Sequence, residues 1–140
     1  EVDALQAAGL PVTVVPGITA ALGCAASVGI ALTDRRVASS VTFSSGHAAH
    51  DAVGGHTHVI YMATSEAAAV RDRLVADGVD PATPVAIVEN GTRPDERIST
   101  GRLADLARLA VGHGAGPSLI IVGEVAARAA ADRASFAEVS

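Results

Sequence analysis

The sequence has few of the residues that recognise nucleic acids. It contains no lysine and no tryptophan, its ten basic residues are all arginine, and its only aromatic side chains are Phe43, Tyr61 and Phe136. Acidic residues outnumber basic ones by 15 to 10, which gives a net charge of −5. Because nucleic-acid binding uses cations for the phosphates and commonly aromatic rings for the bases, this composition argues against DNA or RNA as a partner.

Cysteine is equally scarce. Cys24 is the single cysteine, so no internal disulfide can form, and a lone thiol is typical of a reducing compartment such as the cytoplasm. With 140 residues, 49% of them hydrophobic and 18% charged, the chain can bury a core without disulfides or a structural metal. Collagen-like and disordered classes are excluded, and we expect one α/β domain over residues 1–140.

Charged residues are absent from one long segment, residues 7–33, which is long enough to span a membrane. Alanine supplies most of its apolar character, however, and turn-forming residues interrupt it at Pro11, Pro16, Gly17, Gly23 and Gly29. A strand, a turn and a buried helix therefore describe the segment better than a membrane span.

Apolar runs rich in β-branched residues alternate with alanine-rich windows along the rest of the chain. This alternation predicts an α/β fold with a sheet of about five strands flanked by helices. The predicted strand segments are 12–15, 41–43, 59–62, 85–88, 97–100 and 118–125.

Helices are predicted between the strands. Residues 19–28 carry only small side chains apart from Leu22 and Val28, which indicates close packing against a neighbour. The next helix follows a cap at Thr64 or Ser65 and ends at Gly78, and its inward residues are predicted to be Ala68, Val70, Leu74 and Val75. A third helix is marked by Leu103, Leu106, Leu109 and Ala110. The tail after Arg128 is expected to be marginal or frayed.

Three segments contain residue types that occur in catalytic or metal sites, but none of them matches the pattern of such a site. The cluster His47, His50, Asp51, His56 and His58 matches no zinc signature, and we expect no metal. The glycine-rich 112–116 segment follows a helix and precedes a strand, which is the reverse of a dinucleotide-binding loop and indicates a connector. The 44–47 segment lacks the Gly-x-Ser-x-Gly turn of a hydrolase nucleophile.

The loops after the strands are better candidates, because α/β sheets bind ligands beyond the carboxyl ends of their strands. The relevant loops are 16–19, 62–64 and 90–92. The first enters a helix whose unpaired N–H groups suit a carboxylate or phosphate. In the polar 89–94 turn, Gly91 is the residue expected to need a positive φ.

Six segments, taken in order, resemble the C-terminal half of the uroporphyrinogen-III C-methyltransferases, which belong to the tetrapyrrole methylase family. They are VVPGITAA (14–21), GIALTDR (29–35), SVTF with GH (40–43 and 46–47), VIYM (59–62), PVAIVENGT (84–92) and IIVGEV (120–125). The resemblance extends to about Arg128, and the order of the segments makes it more specific than any single one.

The resemblance implies transfer of two methyl groups from S-adenosylmethionine to uroporphyrinogen III, giving precorrin-2 for sirohaem or cobalamin. Members of the family are usually homodimers of two-domain subunits, with the cofactor in the cleft between the domains. Matched by motif, Thr19, Ala20, Met62 and Gly91 fall where the family contacts the cofactor. No catalytic base is nominated, because the sulfonium is already activated and the protein chiefly aligns the two reactants.

The chain also departs from the family pattern. Asp34 stands where a histidine is usual, Ala63 replaces a common glycine, and the region from 47 to 56 is shorter than in some relatives. The opening residues read as the middle of a helix, and the N-terminal domain of the family is not part of this sequence, so we expect the chain to start within a longer protein. We therefore expect the isolated chain to be inactive.

Some assignments stay open. Arg35, Arg93 and Arg97 are candidate partners for the carboxylates of a tetrapyrrole substrate, although an ordinary surface role suits each equally. Two other functions are compatible with the sequence: a methylase of the same fold that acts on another substrate, and a non-catalytic remnant that binds the cofactor or a partner.

Overall fold

The computed structural model describes residues 1–46 and 55–129, which form a five-stranded sheet with helices on both faces. The helices are α1 (Val2–Ala7), α2 (Ala20–Ser27), α3 (Ala67–Ala76) and α4 (Leu106–Leu109), and short 3₁₀ turns occupy Leu103–Asp105 and Glu124–Arg128. The strands are β1 (Ser40–Ser45), β2 (His56–Tyr61), β3 (Pro84–Glu89), β4 (Arg97–Arg102) and β5 (Ser118–Val122).

The strands pair in the order β1-β2-β5-β3-β4. β1 and β2 are parallel, whereas β5 is antiparallel to β2 and β3, and β4 is antiparallel to β3. Strands β1, β2 and β3 therefore run in one direction and end at the same edge, where β4 and β5 begin. We call this the carboxyl edge, and the loops after β2 and β3 meet there with the loop that precedes β5.

The three central strands are buried on both faces, as the apolar character of β3, β5 and the second half of β2 predicts. Val59 and Ile121 pack with α2 on one face, whereas Ile60 and Ile120 pack with α3 and α4 on the other. The alternation follows from the two-residue period of a strand.

Helix α2 confirms the expectation of close packing. Ala21 and Ala25 are 0% and 3% exposed, and the small side chains let the helix lie directly on the sheet. Its bounds agree with the predicted 19–28 segment to within one residue at each end.

Helix α3 differs in detail from its prediction. It begins at Ala67, one or two residues later than a cap at Thr64 or Ser65 predicts, and it buries Ala67, Val70 and Leu74. Ala68 is exposed and Val75 is 38% exposed. The buried residues are thus spaced by three and four positions, as expected for one face of a helix.

The predicted strand at 12–15 was wrong. These residues form no strand, and Val14 and Val15 are 74% and 82% exposed. A strand needs a hydrogen-bonded neighbour, and the described part of the chain offers none to this segment. The last strand is also shorter than predicted, because Gly123 at φ 144° leads the chain from Val122 into a 3₁₀ turn.

The remaining elements match their predictions closely. β4 and the amphipathic segment after it are present, with Leu103 and Leu106 fully buried and Ala110 nearly so. Within residues 1–46 and 55–129, no helix is long and apolar enough to cross a bilayer. The predicted fraying after Arg128 lies, apart from Ala129, outside the described residues.

Candidate functional site

A cavity of about 190 Å³ opens at the carboxyl edge, between the ends of β2 and β3 and the start of α2. Its floor is apolar and comes from Cys24, Val88 and Leu119, and Tyr61 contributes to its wall. Asn90, Pro117 and Ser118 add polar groups at its border. The cavity thus combines an apolar floor with a polar border, which suits a small ligand that has both kinds of surface.

The structure brings the predicted site residues together. Ala20, Met62 and Gly91 line this cavity. Thr19 lines an adjoining cavity of about 340 Å³ that shares Ala20 and Gly91 with the first. Three loops that are far apart in the sequence therefore meet at one place.

Gly91 faces the thiol of Cys24 rather than open space. A β-carbon built on Gly91 would overlap Cys24 Sγ and would lie 3.2 Å from Val88 Cγ1. Burial raises the pKa of the Cys24 thiol, and the charge of Glu96 raises it further, so the thiol stays protonated and acts through packing. Because Gly91 has no side chain, the turn after β3 can pack directly against helix α2.

The expectation that Gly91 needs a positive φ was wrong. Its neighbours Asn90 and Thr92 have φ values of 53° and 68° instead, and Met62 has φ 51°. These are the only non-glycine residues with positive φ in the described ranges, and all three lie at the carboxyl edge. Such strained conformations cluster at functional sites, so the observation supports a site here independently of the motifs.

Tyr61 connects the end of β2 to the start of α2, a role that sequence reasoning did not find. Its hydroxyl forms a hydrogen bond with Thr19 Oγ1 and accepts one from the Ala21 N–H at 3.3 Å. Thr19 is the N-cap of α2, but its side chain makes no capping bond to the helix. The Tyr61 hydroxyl thus accepts a hydrogen bond from an N–H group in the first turn of α2, which is the bond that a capping side chain usually accepts.

Gly46, from the Gly-His motif, packs against the loop after β2. A β-carbon on Gly46 would lie 3.0 Å from the carbonyl oxygen of Met62 and 3.2 Å from the Ala63 methyl group. Ala63 is fully buried. The methyl group of Ala63 is accommodated because residue 46 has no side chain.

Glu89 is the most deeply buried charged residue at this edge, with its side chain 1% exposed. Backbone hydrogen bonds from Gly116 and Gly114 hold the pKa of the Glu89 carboxyl below its usual range, with help from His113 and Arg97, against the opposing effect of desolvation. These hydrogen bonds occupy N–H groups of the glycine-rich 112–116 segment. The segment is a connector, as its sequence context predicts.

The candidate substrate arginines lie in different places. Arg93 lines the main cavity, whereas Arg35 lines a separate shallow cavity with Thr33, Ala38 and Ser39. Arg97 is paired with Glu89 at 3.2 Å. Of the three, Arg93 is the one beside the predicted cofactor contacts.

Asp34 takes part in a local ion-pair cluster away from these cavities. It accepts hydrogen bonds from Arg36 and pairs with Arg128 at 2.8 Å. The Arg36 side chain is the main cause of the strongly lowered pKa of Asp34, followed by the Arg36 N–H. Its side chain therefore joins the 33–38 loop to the 3₁₀ turn after β5.

The part of the chain that the structure describes contains no group of three or more His, Cys, Asp or Glu side chains placed to hold a metal. His47, His50 and Asp51 of the histidine cluster lie outside that part. His56 is hydrogen-bonded to Ser40, which ties β2 to β1.

Comparison with known proteins places this arrangement in context. Residues 1–107 match the family model of Tetrapyrrole (Corrin/Porphyrin) Methylases. The chain is 48% identical over 136 residues to siroheme synthase of Gluconacetobacter diazotrophicus, covering 89% of this chain and 29% of that protein. It is also 48% identical over 133 residues to siroheme synthase of Edwardsiella ictaluri, with the same coverage. The chain thus spans less than a third of these curated relatives.

Three solved structures that resemble this chain are methyltransferases. Uroporphyrin-III-C-methyltransferase from Thermus thermophilus superposes with a TM-score of 0.78 at 34% identity, covering 90% of this chain and 57% of that one. The S-adenosylhomocysteine complex of the Thermus thermophilus enzyme gives a TM-score of 0.71 at 32% identity, covering 89% and 57%. A cobalt precorrin-4 methyltransferase matches with a TM-score of 0.76 at 21% identity, which shows the shared fold alone.

Proposed function

The chain belongs to the tetrapyrrole methylase family, and from that premise we propose that it forms the methyl-donor side of an active site that methylates uroporphyrinogen III from S-adenosylmethionine. The observation that carries the proposal is the meeting of Ala20, Met62 and Gly91 in one cavity at the carboxyl edge. The similarity to a methyltransferase that binds S-adenosylhomocysteine supports the choice of donor.

The residues present fit a ligand that has a flat base, a sulfonium and a charged amino-acid tail. The apolar floor suits the base, and the border offers polar groups from Asn90 and Ser118. Thr19 and Ala20 lie at the start of an eight-residue helix, whose positive end favours the carboxylate of the tail. Met62 is 67% exposed, so its flexible thioether is available to pack against the base or the sulfonium.

The role of this chain in the reaction is alignment. Bound S-adenosylmethionine supplies an activated methyl group, so the residues of the chain have no proton to transfer to the donor. In this proposal the cavity wall, held by the Gly91–Cys24 contact, orients the donor, and Arg93, which lines the cavity, pairs with a substrate carboxylate.

A second domain is the proposed partner for this wall. Val14, Val15 and Ile18 are 74%, 82% and 84% exposed, and Ile18 borders the cavity of Thr19. The matched Thermus thermophilus enzyme contains further chain beyond the 57% that aligns. We propose that such a domain covers this apolar strip and closes the cavity against water, in a homodimeric, cytoplasmic enzyme. The products would enter sirohaem or cobalamin synthesis.

The donor proposal is tested by calorimetric titration with S-adenosylhomocysteine, using the 140-residue chain and the product of the full reading frame that encodes it. We expect saturable binding that weakens at least about fivefold in Met62→Ala, since packing against an exposed thioether is lost. Val111→Ala is the matched control, because Val111 is 80% exposed and lines neither cavity.

Absence of saturable binding in both proteins would refute the donor assignment. Equal affinity in Met62→Ala and Val111→Ala would remove Met62 from the site. Transfer of labelled methyl groups to uroporphyrinogen III by the full reading frame tests the substrate, and labelling of another tetrapyrrole instead would correct it.

The partner proposal is tested by sedimentation and by binding of a hydrophobic dye. The 140-residue chain should self-associate or bind the dye, because its apolar strip is uncovered, and Val15→Ser with Ile18→Ser should reduce both effects. A monodisperse monomer without dye binding would contradict the proposal.

A further inference from the structure

A single buried carboxylate connects the cavity border to the glycine-rich loop before β5. Glu89 is the last residue of β3, and its side chain is 1% exposed. A charge removed from water is costly unless several donors replace the solvent. The partners of Glu89 therefore show what the carboxylate holds in place.

The glycine-rich loop supplies most of these donors. Glu89 Oε1 accepts hydrogen bonds from the Gly114 N–H at 2.7 Å and the Gly116 N–H at 3.0 Å. Two converging backbone N–H groups form the kind of concave site that binds an anion. Here the anion is part of the protein, so these N–H groups are not available to a phosphate.

Arg97 adds a third point of attachment. Its Nη1 lies 3.2 Å from Glu89 Oε2 and donates a hydrogen bond to the Gly112 carbonyl oxygen at 2.9 Å. His113, whose side chain is 3% exposed, places Nδ1 3.4 Å from Glu89 Oε2, and its Nε2 is hydrogen-bonded to Ser99 at 2.8 Å. The loop is thus attached to β3 and β4 along its length.

The same loop shapes the cavity. The Asn90 N–H donates to the Pro117 carbonyl oxygen at 2.9 Å, and both residues line the cavity with Ser118. Gly116 packs closely against Asn90, and a β-carbon built on Gly116 would overlap Asn90 Oδ1. Asn90 also holds φ 53°, a conformation that needs support from its surroundings.

We infer that Glu89 is a positioning residue for the donor cavity: by binding the 112–116 loop as an internal anion, it fixes Asn90 and Pro117 at the cavity border. The inference rests on the proposed function for its ligand but not for its geometry. Glu89 itself is not among the residues that line the cavity, so it acts through its neighbours.

Three variants separate the parts of this arrangement. Glu89→Ala removes every contact, whereas Glu89→Gln keeps an acceptor for the two glycine N–H groups and loses the attraction to Arg97. Arg97→Gln removes the third attachment from a side chain that is 57% exposed, so the fold should tolerate it. Asp34→Asn is the control, because Asp34 is also an ion-paired carboxylate but lies outside both cavities.

Amide hydrogen exchange provides a readout that needs no ligand. In Glu89→Ala and Arg97→Gln, we expect exchange to accelerate more at Gly114, Gly116 and Asn90 than at Val59 and Ile60 in β2, whose exchange reports only the change in global stability. Asp34→Asn should change all five amides by the same factor. Acceleration at the loop and Asn90 no greater than that in β2 would overturn the inference, whether or not the chain binds a methyl donor.

Calorimetry with S-adenosylhomocysteine then connects the loop to binding. We expect affinity to fall at least about fivefold in Glu89→Ala, less in Glu89→Gln and not at all in Asp34→Asn, measured where each variant is folded. If the parent binds but Glu89→Ala binds equally well, the positioning role is wrong and the proposed function stands. If the parent does not bind, the proposed function fails, and the exchange experiment still decides whether Glu89 organises the loop.

Discussion

Gly91 and Cys24 lie in direct contact, and this contact joins the turn after β3 to helix α2. A β-carbon on Gly91 would overlap Cys24 Sγ and lie 3.3 Å from Cys24 Cβ. The two elements that meet here each supply a predicted donor contact, Ala20 from α2 and Gly91 from the turn. The geometry of the cavity therefore depends on how closely these two residues approach.

The first prediction concerns this close approach. Gly91→Ala should lower the free energy of unfolding by about 1–3 kcal/mol, because the added methyl group overpacks the interface. Gly17→Ala is the matched control, since Gly17 has negative φ and no atom within 4 Å of an added β-carbon. It should be neutral or slightly stabilising in the same urea denaturation.

A double variant identifies the atom that is responsible. Cys24→Ala removes the overlapping sulfur, so Gly91→Ala should cost about 1 kcal/mol less in that background than in the parent chain. Strict additivity of the two changes would show that the thiol does not set the constraint at position 91.

Much of the sheet could be predicted from the sequence, and the failure at 12–15 shows the limit. β3, β5 and the second half of β2 are apolar runs, and these three strands were predicted within a few residues of their bounds. Residues 12–15 have the same local pattern, but they have no partner strand in the described ranges and remain exposed. A local pattern reports the tendency to extend, whereas a strand also requires a neighbour.

Gly91 was assigned to the site by its motif, and only the conformation expected of it was wrong. The residues with positive φ in this turn are Asn90 and Thr92, whereas Gly91 is needed for its contact with Cys24. Glu89 was visible as an acidic residue at the end of an apolar strand. Its partners, Gly114 and Gly116, are 25 and 27 residues away, and only the antiparallel placement of β5 beside β3 brings them close.

The second prediction concerns the hydroxyl group of Tyr61. Tyr61→Phe should lower the free energy of unfolding by about 0.5–1.5 kcal/mol, because the Ala21 N–H and Thr19 lose their shared partner. Thr19→Ala should cost less, since the Tyr61 hydroxyl can still accept from Ala21. Urea denaturation of both variants checks the order, and a Tyr61→Phe chain as stable as its parent would show that the hydroxyl does not support α2.

The third prediction concerns acid stability. The pKa values of Glu89 and Asp34 are both lowered in the folded chain, so the folded state binds fewer protons than the unfolded state near the ordinary carboxyl pKa. Their contribution to stability is present above that ordinary pKa and is lost as pH falls through the lowered values. The free energy of unfolding should therefore decrease as pH is lowered from about 6 to about 3.

Two variants and added salt separate the contributions of Glu89 and Asp34 to the pH dependence of stability. Glu89→Gln should flatten the pH dependence, and 1 M salt should affect its share little, because buried N–H groups are the main cause of its lowered pKa. Asp34→Asn should remove a share that salt weakens, since Arg36 is 72% exposed. A pH profile that is the same in Glu89→Gln and the parent would contradict the assignment of Glu89.

The fourth prediction concerns backbone strain at the cavity border. Thr92 is β-branched and exposed, yet it holds φ 68°, a conformation that costs most residues about 1–2 kcal/mol and asparagine less. Thr92→Asn should therefore raise the free energy of unfolding by about 0.5–1 kcal/mol, because the hydrogen bond from its N–H to Glu96 is kept. Thr100→Asn, on an exposed position of extended β4, should instead lower it slightly.

The consequence for binding separates strain that serves the site from strain that is incidental. If the conformation of Thr92 holds Gly91 in place, the relaxed variant should be more stable but should bind S-adenosylhomocysteine more weakly, as expected where a strained residue contributes to function. Greater stability with unchanged affinity would make the strain at Thr92 incidental to the site. Lower stability in Thr92→Asn would show that the threonine side chain contributes more to the fold than its backbone conformation costs.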